Sequence, residues 1–520
     1  MDALSNLIDG FGTALTPMNI VWVVVGALLG TAVGVLPGLG SAMAVALLLP
    51  VTFTLEPTSA LIMFAGVYFG GLFGDSISGI LMNTPGNSTA IAGTFEGHRM
   101  AKNGRAPQAL ATSAIGAFIG GIIATTLVVF FAPTLADLAT NFGPAEYFAL
   151  AVFAFIATSA VVSDSVLKGL SALLIGLTLA VIGIDGPSGA SRFTFEVPAL
   201  FDGISVVVIT VAMLALGEVI FIASKIGKPD DNTLIPSKGR PFLSKAEFRE
   251  AMPAWLRGTA FGVPFGVIPA GGAEVPSFLA YGTERRLDRR SKNPMFGKGA
   301  IRGVAGPEAA GNSTAGTAMG ALLALGLPTS ATAAILLAAF QQYGIQPGPL
   351  LFERNGEVVW ALLASLFVGM VVLLILNLPF APLWAQLLKI PKNYLYAGIT
   401  VFASLGVYAV SASIVDLIAM LGLGIIGFML RRFGIPLAPV LIAVILGPLA
   451  EDSLRRALAV SEGDVSVLVG SGITVVLYTL MVIAVVFSIV TKVRQRGGGQ
   501  EGLVVSHAVI QPRWGDTGVN

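Results

Sequence analysis

Two Gly/Pro breaks interrupt apolar stretches in opposite halves of this chain, Gly34-Val35-Leu36-Pro37-Gly38-Leu39-Gly40 and Gly266-Val267-Ile268-Pro269-Ala270-Gly271-Gly272. Each sits where an unbroken membrane helix would be expected. In hydrocarbon every backbone N–H and C=O needs an internal partner. Irregular backbone therefore survives at membrane depth only where it is buried in protein or lines a watery cavity. Breaks of this kind in both halves point to one shared central site.

Composition fixes the surroundings of those breaks. The 520 residues are 55% hydrophobic and 11% charged, against about 25% charged in soluble domains, and the mean hydropathy is +0.85. Repeated apolar runs reach the roughly 20 residues needed to cross a hydrocarbon core as helix. The reading is an all-α polytopic membrane protein. A β-barrel would alternate polar and apolar residues, and the 63 glycines suit helices packed through small residues. Cysteine is absent, which excludes disulfides and thiolate metal sites, and no metal site or resident cofactor is expected. His98 and His507 lie outside the apolar spans. A net charge of +1 gives no reason to expect nucleic acid as a partner. The first 17 residues hold Asp2 and Asp9 and no Lys or Arg, the wrong start for a cleaved secretory signal.

The apolar pattern predicts a broken hairpin at 18–52, then spans near 58–82, 107–132, 144–163, 166–184 and 199–224. A polar linker covers 225–257. A second hairpin at 258–281 and a polar loop at 282–302 precede spans near 303–327, 357–377, 394–411, 413–430, 435–450 and 465–491. Residues 492–520 read as a disordered cytoplasmic tail. Basic residues favour cytoplasmic loops, and 225–257 and 282–302 are the most basic loops of the chain. The stretch between them must enter and leave on one side, so it is re-entrant. The first hairpin is flanked by 1–17 and 50–58, which carry no basic residue, so equivalent elements face opposite sides. The expected architecture is an inverted-topology repeat with two re-entrant hairpins and about eleven crossings. One repeat spans 1–224 and the other 258–491, with the N-terminus periplasmic and the C-terminus cytoplasmic. The 435–450 span has no counterpart in the first half.

Each half holds a second break on a later span, Asn83-Thr84-Pro85-Gly86-Asn87-Ser88-Thr89 and Gly326-Leu327-Pro328-Thr329-Ser330-Ala331-Thr332. Proline followed by hydroxyl residues can end one helix and cap the next. A new helix N-terminus offers free N–H groups and about half a positive charge, suited to a carboxylate. Because the spans hold almost no basic side chain, an anion would be held by backbone N–H groups and small polar residues. The candidates are Gly38, Gly40, Ser41, Asn83, Pro85, Asn87, Ser88, Thr89, Gly271, Gly272, Asn312, Ser313, Pro328, Thr329, Ser330 and Thr332. Ordinary proline kinks and packing glycines are the alternative reading. Carboxylates inside spans are costly and hence functional candidates. Asp75 and Glu308 are the best two for coupling to H⁺ or Na⁺, with Glu274 third; hydrogen-bonded structural carboxyls are the alternative. No Gly-x-Gly-Asp of intramembrane aspartyl proteases and no Walker lysine motif occurs, so an enzyme is not expected.

The ordered set Gly34 to Pro50, Tyr68-Phe69-Gly70-Gly71, Met100 to Ala106, Phe296-Gly297-Lys298-Gly299-Ala300-Ile301, Pro307-Glu308-Ala309-Ala310 and Gly344 to Pro349 resembles the large membrane subunit of the tripartite tricarboxylate transporters (TctA-type). The resemblance runs to about residue 491. It implies a multi-pass protein of the bacterial inner membrane that imports small tricarboxylates or dicarboxylates on a proton or sodium gradient. It also implies two partners, a small four-helix membrane subunit and a periplasmic solute-binding protein. The chain departs from the family pattern at Ala270, at Gly311-Asn312 and at Pro328-Thr329, all near the expected ligand. An anion channel, or an ion-coupled carrier without a binding protein, is the alternative that the physics of broken helices leaves open.

Overall fold

The computed structural model describes residues 3–497 apart from 38, 163–164, 225–233, 238, 269–271 and 292. The protein is an all-α polytopic membrane protein: seven of its described helices are long and apolar enough to cross a bilayer. The first half comprises α1 (Ala3–Ala14), α2 (Pro17–Val35), α3 (Ser41–Leu48), α4 (Pro57–Met82), α5 (Ile91–Met100), α6 (Ala106–Ala139), α7 (Pro144–Val162), α8 (Val166–Ala180) and α9 (Val206–Ala223). The second comprises α10 (Lys245–Val267), α11 (Glu274–Asp288), α12 (Arg302–Leu325), α13 (Ala331–Gln342), α14 (Gly356–Asn377), α15 (Lys392–Ser411), α16 (Ile414–Arg432), α17 (Leu437–Val460) and α18 (Gly472–Gly497). A two-residue ribbon, Gly183–Ile184 against Ser191–Arg192, joins α8 to α9.

The helices α4 and α12 are buried along nearly their whole length. Every residue from Ser59 to Leu81 and from Gly303 to Ala324 is buried. They run antiparallel: Leu72 and Gly311 line one cavity, and one turn further along α4 and back along α12, Ser76 bonds Glu308. Each helix carries an arm that lies against it in the same direction. A Cβ added at Gly26, Gly30 or Gly34 of α2 would come within 2.2, 2.4 and 2.3 Å of the carbonyl oxygens of Met63, Val67 and Gly71. On α10 the same holds for Gly258, Gly262 and Gly266, at 2.1, 2.3 and 2.3 Å from those of Gly306, Ala310 and Thr314. Glycine every fourth residue thus brings two backbones into direct contact, the device that replaces hydrophobic drive inside lipid.

These registers fix the depth of the breaks. Val35 aligns with Leu72 and Val267 with Ala315, so each arm stops ten residues short of its partner's end, Met82 or Leu325. At 1.5 Å per residue this is about 15 Å, half of a hydrocarbon core of about 30 Å. Both arms end because a proline follows: Leu36 and Ile268 are extended before Pro37 and Pro269, as the residue before proline prefers. Since α2 and α4 run the same way, the chain between them must turn back at that depth, and α3 with the 3₁₀ turn Leu49–Thr54 makes the return.

Several boundaries differ from the sequence reading. The linker 225–257 is helical from Lys245, because Ser244 and Glu247 form a reciprocal capping box. Residues 3–14, read as a flank, form α1, whose Gly10 seats on the Trp360 carbonyl of α14. The 435–450 span extends into α17, whose 24 residues are enough to cross. The expected tail is still helical from 492 to 497. The other expected tail residues, 498–520, lie outside the described residues.

Candidate functional site

Both central helices end in a left-handed residue, Asn83 (φ 56°) and Gly326 (φ 66°), with Pro85 and Pro328 two residues on. The chain then restarts as helix with fresh N-termini: the short turn Ser88–Ala90 leading into α5, and α13, where the Ser330 hydroxyl caps by accepting from the Ala333 N–H at 3.2 Å. These restarts meet the hairpin tips. Ser41, the first residue of α3, shares a hydrogen bond with Thr332 of α13 at 3.0 Å. Asn87 donates to Ser41 at 3.4 Å, and Gly40 lies against the Asn87 amide. In the second hairpin Gly272 (φ 88°) packs beside Ser330 and Glu274, and Tyr68 of α4 lies near Ser330. Gly71 forms the floor, since any side chain there would collide with Ser41 at 2.7 Å. The N-termini of α3, α13 and α11 and the turn before α5 therefore converge on one polar region halfway along α4. Thr329, beside Ser330 and 1% exposed, has a buried hydroxyl that finds no partner.

One turn along α4 lies a second feature. Leu72, Asp75, Thr89, Glu308, Gly311 and Asn312 line a cavity of about 10 Å³, close to what one water needs. Asp75 is 1% and Glu308 7% exposed. Thr89 donates to Asp75 at 3.3 Å and Ser76 to Glu308 at 2.5 Å, with Ser113 of α6 near Glu308. Among the described residues lining the cavity none is basic.

The sequence candidates divide by place. Gly40, Ser41, Asn87, Gly272, Thr329, Ser330 and Thr332 gather at the convergence, while Asp75, Glu308, Thr89 and Asn312 surround the small cavity. Ser313 turns away: its hydroxyl donates to the Thr259 and Ala310 carbonyls, against α10. Asn83 is exposed, and Pro85 and Pro328 shape the breaks. Gly38, Gly271 and the Ser88 side chain lie outside the described residues. Sequence reasoning missed Gly71, Tyr68, Ser76 and Ser113, which lie on unbroken helix with no local signal; only the fold brings them to the centre.

Away from the centre, Glu96 of α5 is fully buried and accepts N–H groups from Gly297, Gly299 and Ala300 at 2.8, 2.9 and 3.0 Å. Arg105 pairs with Glu247 at 2.7 Å, and Glu284 is held by Arg257 and Arg302. The basic segments 98–105, 245–257 and 282–302 thus gather at one end of the molecule. At the other end of α4, the Tyr343 hydroxyl donates to the Thr52 carbonyl at 2.6 Å.

A profile of the tripartite tricarboxylate transporter TctA family matches residues 20–442. The chain is 42% identical over 497 residues to the "uncharacterized 52.8 kDa protein in TAR-I ttuC' 3'region" of Agrobacterium vitis, covering 95% of this chain and 98% of that one. It is 40% identical over 232 residues to a second protein of that organism, from the TAR-II ttuC' 3'region, covering 44% of this chain and 95% of the relative. No solved structure matches.

Proposed function

Because this chain belongs to the tripartite tricarboxylate transporter TctA family, we propose that it is the large membrane subunit through which a small organic carboxylate enters a bacterial cell, driven by a proton or cation gradient. The family is one of transporters, and we read no catalytic role into the buried carboxylates. The observation that carries the proposal is the contact of Ser41 with Thr332 at 3.0 Å, which joins two helix N-termini from opposite halves at mid-membrane depth. The N–H groups at the start of α3, which no side chain caps, and the helix dipoles behind both N-termini hold an anion without a basic side chain, and the low dielectric there strengthens their pull.

The matched arms, the antiparallel pair α4 and α12 and the equal depth of the two tips support an inverted-topology repeat, with halves near 1–224 and 258–491 rocking about a fixed midplane site. The gathering of basic segments at one end supports a cytoplasmic assignment for that end, in an inner-membrane protein. Residues 50–56 and 341–344 are then periplasmic, where a solute-binding protein would deliver its cargo, with a small four-helix subunit beside the large one. The Asp75 and Glu308 cavity is the coupling site: two buried carboxylates that share one small cavity call for a proton or a cation between them.

Uptake by proteoliposomes that hold the assembled transporter tests this. The expected result is accumulation of a labelled di- or tricarboxylate above the outside concentration, abolished by an ionophore that collapses the driving gradient. Passive equilibration insensitive to the ionophore would mean a channel.

A further inference from the structure

The central polar region is flanked on each side by a contact between the two halves, and equivalent elements build both contacts. After its proline break each half restarts as a helix, α5 or α13, whose far end meets the segment leading into the other half's central helix. At the basic end α5 meets residues 297–300, which lead into α12. At the opposite end Tyr343, just past α13, meets the turn Leu49–Thr54, which leads into α4.

The chemistry of the two contacts is unequal. Glu96 of α5 is fully buried. Besides the N–H groups of Gly297, Gly299 and Ala300, its carboxylate accepts from the Tyr281 hydroxyl of α11 at 3.3 Å and from Arg99 of its own helix at 3.1 Å. The three N–H groups stand at the start of α12, where the helix dipole adds to their pull. Gly297 and Gly299 present them from φ 91° and 93°. Asp288 of α11 holds the same segment from its own half, accepting from the Met295 and Phe296 N–H groups at 2.8 and 2.9 Å. Across this seam Tyr281 sits edge to face with Phe95 at 5.5 Å and with Phe296 at 5.3 Å. The Tyr343 bond at the opposite end joins a hydroxyl to a carbonyl, both neutral. Hydrogen bonds to a charged group are roughly twice as strong as neutral ones, and parting α5 from residues 297–300 also strands a buried carboxylate.

We propose that Glu96 is the latch of the cytoplasmic gate. Its grip on residues 297–300 makes the empty transporter rest closed to the cytoplasm and open, past the neutral Tyr343 contact, to the periplasm. This rests on the rocking of the halves proposed above and names the residue that sets the side on which cargo is awaited.

A single cysteine, Gly40→Cys, reports the face to which the centre is open. The chain has no other cysteine, and a side chain there would first meet the Asn87 amide, at 3.3 Å. Its rate of reaction with an impermeant thiol reagent is followed in right-side-out and in inverted vesicles, without carboxylate. With that change alone, reaction should be faster from the periplasmic face. Glu96→Gln keeps the shape but sets an NH₂ group against N–H donors, and should raise the cytoplasmic rate about tenfold or more without raising the periplasmic one. Tyr343→Phe should lower the cytoplasmic rate and, combined with Glu96→Gln, bring it back towards the starting value, which two merely destabilising changes would not do. Should Glu96→Gln fail to fold, Gly299→Ala, strained at φ 93° and pressed on the Met100 backbone at 3.0 Å, loosens the same latch. A cytoplasmic rate indifferent to Glu96→Gln, a gain at both faces together, or a double variant faster from inside than Glu96→Gln alone would each overturn the latch. Rates that respond as expected without any carboxylate uptake sink the carboxylate reading and leave the latch standing; uptake with rates indifferent to Glu96→Gln does the reverse.

Discussion

Thr329 separates a ligand cradle from mere packing. Its buried hydroxyl has no partner, so Thr329→Val keeps the shape, removes an unsatisfied group and should leave the thermal midpoint unchanged or slightly raised. A hydroxyl that donates to a bound carboxylate is worth roughly 1.5–3 kcal/mol, so the same variant should weaken carboxylate binding by about ten- to a hundredfold, read by isothermal titration. Unaltered affinity would mean that the hydroxyl only packs. Such residues were legible because they follow a proline on an apolar span, where free N–H groups are the physical signal. Gly71 and Ser76 carry no such mark; a floor and a second-rank hydrogen bond exist only once two helices from distant sequence lie side by side.

Between elements, close backbone contact sets what is tolerated. Gly30 and Gly262 rest on carbonyl oxygens of Val67 and Ala310, so Gly30→Leu or Gly262→Leu must push the arm off its helix, at roughly 3 kcal/mol or more. The expected outcome is loss of a monodisperse peak in detergent chromatography, whereas Gly12→Leu, in open space, should behave as the parent. The ribbon between α8 and α9 gives a pH test. Asp185 is held below the usual carboxylate range first by the Ser188 hydroxyl and then by Arg455 of α17, with burial acting the other way; Arg192 pairs with it too, at 3.3 Å. A carboxyl whose folded pKa is depressed contributes its stability fully above the unfolded value, near pH 4, and loses it as pH falls through the folded one. A spin label at Ala190→Cys should therefore be fixed at neutral pH, begin to loosen as pH falls past about 4 and be free only below the depressed folded value; adding Asp185→Asn should free it throughout. The turns that follow this ribbon were not legible, since Phe193, Phe195 and Glu196 all take positive φ without the glycine that would announce it.

For the whole molecule, the absence of cysteine makes topology directly measurable. An impermeant thiol reagent applied to cells should label Gln341→Cys and Ala190→Cys, and only inverted vesicles should expose Lys102→Cys and Ser291→Cys. Labelling of Gln341→Cys and Lys102→Cys from one face would remove the proposed inversion. The all-α class and the ends of both arms at Val35 and Val267 could be read from hydropathy and proline placement. The reach of α10 beyond the membrane could not, because a capping box and a charged amphipathic turn look like any polar linker until Lys245–Arg257 is seen continuing into the buried arm. The helix α4 bears both halves of the proposed mechanism: Gly71 under the cradle and Asp75 at the cavity stand four residues apart, about 6 Å along one rod. Cargo and ion would then ride a common shaft. By how much one tightens its neighbour's grip, the neighbour must tighten its own in return, and no distant relay has to carry the message.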